Sequence, residues 1–412
     1  MSEVLERAFA TVAKSNWQIK SLGDVCRTSS GGTPSRSRPD YFNGNIRWVK
    51  SGELTDGLVS EVSEFISEEA LAGSSAKLLP ADTLLIAMYG TTVGKLGVLT
   101  RAAATNQAVC AIFPPPELDP KFLFWYLRRQ RSHLIAQAVG GAQPNIIQTV
   151  LRDLELPIPP LGEQREIVAE IEKQFSRLDE AVANLQRGKA NLKRYKASVL
   201  KAAVEDRLVV VDSTPFQQVP LSHIVQLNPR LPKASLQEDT VVSFVPMAAV
   251  GADDGRIGVR SQRPYSEVRK GYTNFRDGDV LFAKVTPCME NGKVVVAVGL
   301  TGGVGFGSTE FHVLRPRDDM DPSYVYYLVS NDSFRKEAVR HMTGAVGLRR
   351  VPTAFLKNVV VSVPTLAVQK VIVAEVDRHL SIVREVEAEI DTNLKRAQAL
   401  RQATLAKAFA IT

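Results

Sequence analysis

The stretches of this chain that come nearest to catalytic chemistry are glycine turns carrying a lysine or an acid. Gly90-Thr91-Thr92-Val93-Gly94-Lys95-Leu96 sets a lysine behind spaced glycines, the arrangement that cradles phosphates with backbone N–H groups. Only three residues separate its glycines where four are needed, and Leu96 stands where a hydroxyl must meet magnesium, so nucleotide binding is rejected. Gly303-Val304-Gly305-Phe306-Gly307 lacks the third glycine at the dinucleotide-binding spacing, and no suitable acid follows it. Pro39-Asp40 and Asp119-Pro120-Lys121 fit a nuclease pattern only by force. His133, His223, His312, His341 and His379 are scattered without metal-ligand spacing. There is no Asn/Asp-Pro-Pro-aromatic stretch to hold an adenine amine for methylation. Cys26, Cys110 and Cys288 form no CxxC pair, and an odd, widely spaced set fits a reduced, cytoplasmic setting. The expectation is a chain with no catalytic centre or metal of its own, one that directs chemistry done by others.

The charge says what it directs that chemistry to. A net charge of +7 and a pI near 9.2 favour an anionic partner, nucleic acid ahead of a membrane surface. No apolar run reaches the roughly 18 residues of a membrane span, and Met1–Lys14 mixes Glu and Arg among its apolar residues, unlike a secretory signal. Candidate DNA contacts lie in polar, glycine-rich loops. The first, Ser29–Arg38, offers Thr33, Ser35, Arg36 and Arg38 beside Gly31-Gly32, where a backbone can approach closely. The second offers Tyr89, Thr91, Thr92 and Lys95, mirrored by Lys284, Thr286 and Lys293. In the third, Gln143 and Asn145 suit adenine, and Arg349 and Arg350 suit guanine or phosphate. The aromatic clusters around Trp125 and Tyr326 read as core and not as base-stacking platforms.

These loops come in pairs because the chain repeats itself. Ile158–Ile171 aligns without gaps on Val363–Val376 at an offset of 205, which still brings Leu200 onto Leu405 and Ala203 onto Ala408. Upstream, in the same order, Asp82–Leu85 matches Asp279–Phe282, Gly94-Lys95 matches Gly292-Lys293, and Thr105-Asn106-Gln107 matches Ser308-Thr309-Glu310. Asp119-Pro120 before an aromatic stretch matches Asp321-Pro322, and Gly141-Ala142 matches Gly344-Ala345. Each copy opens with a part rich in Gly, Pro and short β-type runs, read as a mixed α/β globular domain, and closes with one long helix.

The helices must position the globular parts. Ile171, Phe175, Leu178, Val182 and Leu185 alternate steps of three and four, the a/d seam of a coiled coil, continued by Leu192 and Val199 with Lys189 and Lys196 at seam positions. Val373, Val376, Leu380, Val383, Ile390 and Leu394 repeat the seam, with Glu387 interrupting it. No proline breaks Gly162–Val204 or Ala367–Phe409, while Pro159, Pro160 and Pro364 stand just before each helix, where a helix tolerates them. About 40 residues at 1.5 Å make a rod of roughly 60 Å. The expected architecture is two similar globular domains separated by two long antiparallel coiled-coil helices, a pseudo-two-fold internal repeat. Its expected divisions are a closing N-terminal helix in 1–16 (around Leu5–Val12), a first domain in 17–160, a helix in 161–206, a linker and second domain in 207–364, and a helix in 365–412. Two diverged readers on such a spacer would read two short sequences on B-DNA, whose surface recurs every ~34 Å. The competing expectation is a coiled-coil scaffold that binds only proteins.

Over nearly its whole length the chain resembles the specificity subunits of type I restriction-modification systems. The resemblance is carried by Gly31-Gly32-Thr33-Pro34, Ile46-Arg47-Trp48-Val49, Thr105-Asn106-Gln107, Ile158-Pro159-Pro160-Leu161-Gly162-Glu163-Gln164 and Ser198–Val204. It implies two target-recognition domains that each read half of a bipartite DNA target, and helices that act as a ruler. It implies two modification subunits that bind S-adenosylmethionine and methylate adenine, and two restriction subunits that use ATP and magnesium. It implies no cofactor on this chain, and partner contacts at Glu163, Gln164, Gln369 and Lys370. The second helix opens with Thr365 and Val368 where the first has Pro160 and Glu163, so the two partner seats need not be equivalent.

Overall fold

The computed structural model describes residues 17–140, 144–209, 216–230, 236–253, 255–258, 261–345 and 347–410. The expected N-terminal helix lies outside them. The chain divides into two compact units, one formed by residues 1–185 with 392–412 and the other by 186–391. Each long helix therefore contributes residues to both.

In the first unit the order is β1 (Gln18–Ser21), α1 (Leu22–Val25), β2 (Arg27–Ser30), β3 (Ile46–Val49), β4 (Gly57–Val59), β5 (Phe65–Ile66), α2 (Glu68–Ala72), β6 (Leu84–Ala87), β7 (Leu96–Leu99), β8 (Ala104–Thr105), β9 (Val109–Phe113), α3 (Pro120–Ala136), α4 (Gln148–Arg152) and β10 (Glu155–Ile158). The long helix α5 (Leu161–Val204) follows. The second unit runs β11 (Gln217–Pro220), α6 (Leu221–Ile224), β12 (Val225–Leu227), β13 (Val241–Val245), β14 (Ser261–Pro264), α7 (Tyr265–Val268), β15 (Thr273–Arg276), β16 (Val280–Ala283), β17 (Val294–Val296), β18 (Val304–Gly307), β19 (Phe311–Pro316), α8 (Pro322–Ser330), α9 (Asp332–Arg340), α10 (Thr353–Asn358), β20 (Val360–Val363) and the long helix α11 (Leu366–Ala408).

The two units share one topology. The first contains a sheet in the order β2-β9-β6-β7-β4, and the second contains β12-β19-β16-β17. Beside these lie β5-β3-β8 and β14-β13-β18-β15, and each contains one parallel pair (β3 with β8, β13 with β18). A short antiparallel ribbon, β1 with β10 or β11 with β20, ties the start of each unit to the strand that leads into its long helix. The duplication expected from the sequence is thus present in the shared strand order, in a mixed α/β fold, with β4 added in the first unit and β15 in the second.

Strand pairing corrects the alignment at two places. Leu84 pairs with Ile112 and Val280 with Leu314, which makes Asp82 the counterpart of Gly278, not Asp279. Both Asp82 and Gly278 have positive φ, 63° and 89°. Ala87 pairs with Val109 and Ala283 with Phe311, so Ala108 is the counterpart of Glu310 and Asn106 that of Ser308. Sequence identity pulled both segments one residue out of register, because the ladder and not the side-chain type sets the phase of a strand.

Asp119 and Asp321 cap the helices α3 and α8. Each carboxylate accepts from two backbone N–H groups of the first turn, and Pro120 and Pro322 occupy the first helical position. The backbone N–H of each capping aspartate donates to the side chain of a glutamine at the start of a long helix: Asp119 to Gln164 Oε1 (2.8 Å) and Asp321 to Gln369 Oε1 (2.8 Å). The Gln164 Nε2 group donates to the carbonyls of Glu117 (3.0 Å) and Pro159 (2.8 Å). That of Gln369 donates to Asp319 (3.2 Å) and Pro364 (2.9 Å). Both amides are sealed from solvent, with 0% and 1% exposure. Gln164 and Gln369 were expected to face a partner chain; their burial and saturated bonding correct this, and they are internal pins. Glu163, half-buried, accepts from the Trp17 indole at 3.0 Å, and Lys370 is exposed.

On α11 the buried positions Val376, Val383, Ile390, Ala397 and Thr404 recur every seven residues, the heptad period of the seam. Within the second unit, Lys189 pairs with Asp391 (2.6 Å) and Tyr195 bonds His379 (2.6 Å), so the two helical segments there run antiparallel. Val199, Leu200, Ala203, Ile372 and Val376 join that unit's core with Tyr324 and Leu328. Within the first unit, Arg401 pairs with Asp179 and lies over the Phe175 ring, while Leu405, Ala408 and Phe409 enter the core beside Phe122 and Tyr126. Trp125, Tyr324 and Tyr327 are buried, as expected of core residues, while Tyr326 is only half-buried against the same core.

Two consequences for stability follow. Gln164→Leu keeps the volume but strands the Asp119 N–H in an apolar setting, and is expected to cost about 1–3 kcal/mol in urea unfolding followed by circular dichroism. His312 is buried, its Nδ1 accepting from the Asn228 side-chain amide at 3.2 Å and its Nε2–H donating to the Val351 carbonyl at 2.8 Å, and burial holds its pKa below the ordinary imidazole value near 6.5. Its contribution is therefore fully present above that value and is lost as pH falls through the lower, folded-state value. Acidifying from pH 7 towards 5 should lower the thermal midpoint, and His312→Gln should flatten that dependence.

Candidate nucleic-acid interface

The first loop is built on a floor with no spare room. A Cβ on Gly31 would stand 2.3 Å from the Thr105 and Asn106 carbonyls, and one on Gly32 2.3 Å from the Ala76 nitrogen. The Gly31 N–H donates to Val109 (3.1 Å), the Gly32 N–H to Thr105 (2.9 Å), and the buried Trp48 indole donates to the Gly32 carbonyl (3.0 Å). Three of the segments that carried the resemblance therefore meet here, with Thr33 bonded to Gln107 above them. Further along, Ser35 shares a hydrogen bond with Ser37 (2.8 Å). Arg36 pairs with Glu64 (2.8 Å) and stacks on Phe42, and Arg38 pairs with Asp40 (2.5 Å) and stacks on Tyr41. Glu64 also receives Lys50 at 2.7 Å, and these two cations hold its carboxyl below the usual range despite partial desolvation. The two arginines are exposed, yet each has a carboxylate already in hand.

The second and third loops close on each other in both units. In the first, Tyr89 and Val139 both bridge Asn145, and the Ile146 N–H donates to Met88 (2.7 Å). In the second, Val285 and Thr343 both bridge Arg350, and the Val351 N–H donates to Lys284 (2.8 Å). Tyr89 with Asn145, and Lys284 and Thr286 with Arg349 and Arg350, are thus brought together as neighbours. Gln143 lies outside the described residues. Thr91 is exposed; Thr92 donates to the Ser51 carbonyl at 2.8 Å. The stretch from Gly90 to Lys95 turns between the antiparallel strands β6 and β7, whereas a phosphate-cradling loop leads from a strand into a helix.

The cations differ in their commitments. The Lys95 ammonium is half-buried and has no hydrogen-bond or ion partner among the described residues, whereas its counterpart Lys293 donates to the Met247 carbonyl at 3.0 Å. Arg349 is used internally: its guanidinium donates to Val339 (2.7 Å), and its backbone exchanges bonds with Thr286. Arg350 pairs side-on with Glu310, at 2.9 Å and 2.8 Å, which holds that carboxyl below the usual range.

Sequence reasoning missed the device under the second loop. Arg131 of α3 donates to the Gly94 carbonyl (2.8 Å) and pairs with Asp56, whose carboxylate also accepts from the Leu96 N–H (3.0 Å). In the other unit Arg335 pairs with Asp253 (2.8 Å) and Asp332 (2.7 Å), packed where a Cβ on Gly292 would intrude. Both Asp56 and Asp253 have positive φ, 67° and 58°. Asp56-Gly57 is a turn dipeptide that marks the bend, but nothing local in the sequence names the arginine that it meets.

No described helix is long and apolar enough to cross a membrane. Residues 14–193 match the type I restriction modification DNA specificity domain. The chain is similar to the specificity subunit of the type I restriction enzyme EcoEI of Escherichia coli, 34% identical over 197 residues, which are 46% of this chain and 32% of that protein. It is 32% identical to the EcoAI specificity subunit of the same organism, over 45% of this chain and 31% of the relative. The aligned stretch thus spans about a third of the length of either relative. A solved structure from a study of the assembly and conformational transition of the type I R-M system superposes with a TM-score of 0.75 at 19% identity, over 96% of this chain and 98% of that one. Residues 14–193 thus match a type I specificity domain, the relatives aligned over that share of the chain are type I specificity subunits, and the solved neighbour has the same fold.

Proposed function

We propose that this chain reads double-stranded DNA at two separate half-sites, one for each unit, and seats the subunits that act on it. The observation that carries this reading is the recurrence of one loop constellation. In each unit the second and third loops are closed by bridges to a single polar residue, Asn145 or Arg350, so that each unit presents one prepared reading surface. The two constellations carry different side chains, which supports a target with two unlike halves. Base edges supply the information, and backbone contacts supply position. In this reading α5 and α11 are the spacer, two modification subunits bring S-adenosylmethionine and adenine methylation, and two restriction subunits bring ATP, magnesium and cleavage. The chain itself is a non-catalytic guide at work in the cytoplasm. Glu163 and Lys370, near the starts of α5 and α11, remain the residues proposed to meet the partner subunits.

Affinity of the chain for duplex DNA, alone or with its modification subunit, should fall steeply and log-linearly as salt is raised, because bound phosphates release counterions. A protein-only scaffold would show no duplex binding at any salt, and that result would end the proposal. Sequencing methylated adenines with and without the gene should show a split motif that depends on it. Inserting about one helical turn into both α5 and α11 should lengthen the unread gap while leaving each half unchanged; an unchanged gap would remove the spacer role.

A further inference from the structure

We infer that Glu310 and Arg350 act as one reading element, in which Glu310 presents the outer edge of the Arg350 guanidinium to a guanine. This rests on the reading of the chain as a DNA reader and names how one of its contacts is made. The backbones of both residues are fixed where three segments meet. Arg350 bridges Val285 and Thr343, with its N–H donating to Thr343 at 2.7 Å, and the Glu310 carbonyl accepts from Lys284 at 2.9 Å. A guanidinium has five N–H donors. Here Nε and Nη2 each donate one to the Glu310 carboxylate, at 2.9 Å and 2.8 Å, and Nη1 gives one, at 3.3 Å, to the Leu348 carbonyl. One N–H remains on each terminal nitrogen. In this inference the Leu348 carbonyl takes the Nη1 hydrogen on the Cδ side, and the end-on pair that is left is the fork that matches the O6 and N7 acceptors of guanine in the major groove. The side chains are 45% and 28% exposed, so the fork has access to a ligand.

The carboxylate does more than aim the fork. A bare arginine at this place would be drawn to any phosphate, whereas a charge-balanced pair gains little from counterion release. Selectivity then depends on hydrogen-bond geometry. Of the neighbouring cations, Arg349 is spent on Val339 and Lys293 on Met247, while the charge of Lys284 also acts on Glu310 and suits a phosphate contact beside the pair. The first unit has Asn145 at the place of Arg350 and Ala108 at the place of Glu310. A carboxamide carries no charge that needs balancing, and its own donor and acceptor suit adenine. The pair therefore marks a point at which the two half-sites should differ.

The test is selection of duplexes from a randomised library by the full chain with its modification subunit, for wild type, Arg350→Ala, Arg350→Lys and Glu310→Gln. Circular dichroism would confirm that each variant is folded. Wild type should enrich a guanine at one position of one half-site. Arg350→Ala should weaken that preference about 10- to 100-fold at that position alone. Arg350→Lys, which keeps the charge but not the fork, should lose it equally. Glu310→Gln should relax the same position and steepen the salt dependence by about one ion, a change that a purely structural role would not produce. Unaltered base preference in both arginine variants would overturn the inference. Unaltered preference and salt slope in Glu310→Gln would overturn the role of the carboxylate. If wild type enriches no sequence at all, the DNA-reading proposal fails first and this inference falls with it.

Discussion

Each long helix begins beside a glutamine whose carboxamide is closed off from water, and the bonds of that amide place what lies on either side. Gln164 accepts from the residue that caps α3 and donates to two carbonyls, one before that cap and one just before α5. Gln369 does the same for α8 and α11. A buried polar group left unmatched costs more than a matched one contributes, so this geometry is strongly determined. Through the amide the helix start is locked to α3, through α3 and Arg131 to the turn that bears Lys95, and through the strands of that turn to the loops above. The loops proposed to read DNA are held by a chain of such local obligations, each leading back to one side chain.

Much of this architecture was legible in the sequence. The duplication, the long helices and their proline-marked starts follow from periodicity and spacing, because a helix with one apolar stripe and a repeated motif leave marks in residue order. The phase of the strands did not. Asp82 was set against Asp279 and Gln107 against Glu310, because like residues attract an alignment, while the ladder pairs Thr83 with Asp279 and Ala108 with Glu310. Asp279 is fully buried and held by Arg315 at 2.7 Å, whereas Thr83 bonds the Pro80 carbonyl, so the two copies solved one buried position in different ways.

The candidate contacts were legible as loops and not as commitments. Glycine-rich, polar, cationic segments can be recognised from composition, and both units bring them together. Whether a given cation faces outward depends on an acceptor far along the chain: Met247 for Lys293, Glu64 for Arg36, Val339 for Arg349. The partner-facing glutamines failed for the same reason. A motif at a helix start is equally compatible with an internal pin and an external contact, and only the position of Asp119 or Asp321 in space separates them.

The tight floor under the first loop divides its residues into two kinds. Where an added methyl group would run into main-chain atoms, as at Gly31 and Gly32, no rotamer relieves the collision, and replacement would have to displace the backbone at Thr105-Asn106 or Ser75-Ala76. Thr33 and residues 35–38 stand above that floor with their side chains largely in solvent. Exchanges there alter which chemical groups are offered and release side-chain contacts such as Arg36 with Glu64, but leave the backbone floor in place. New recognition can thus be acquired at the rim while the foundation stays as it is.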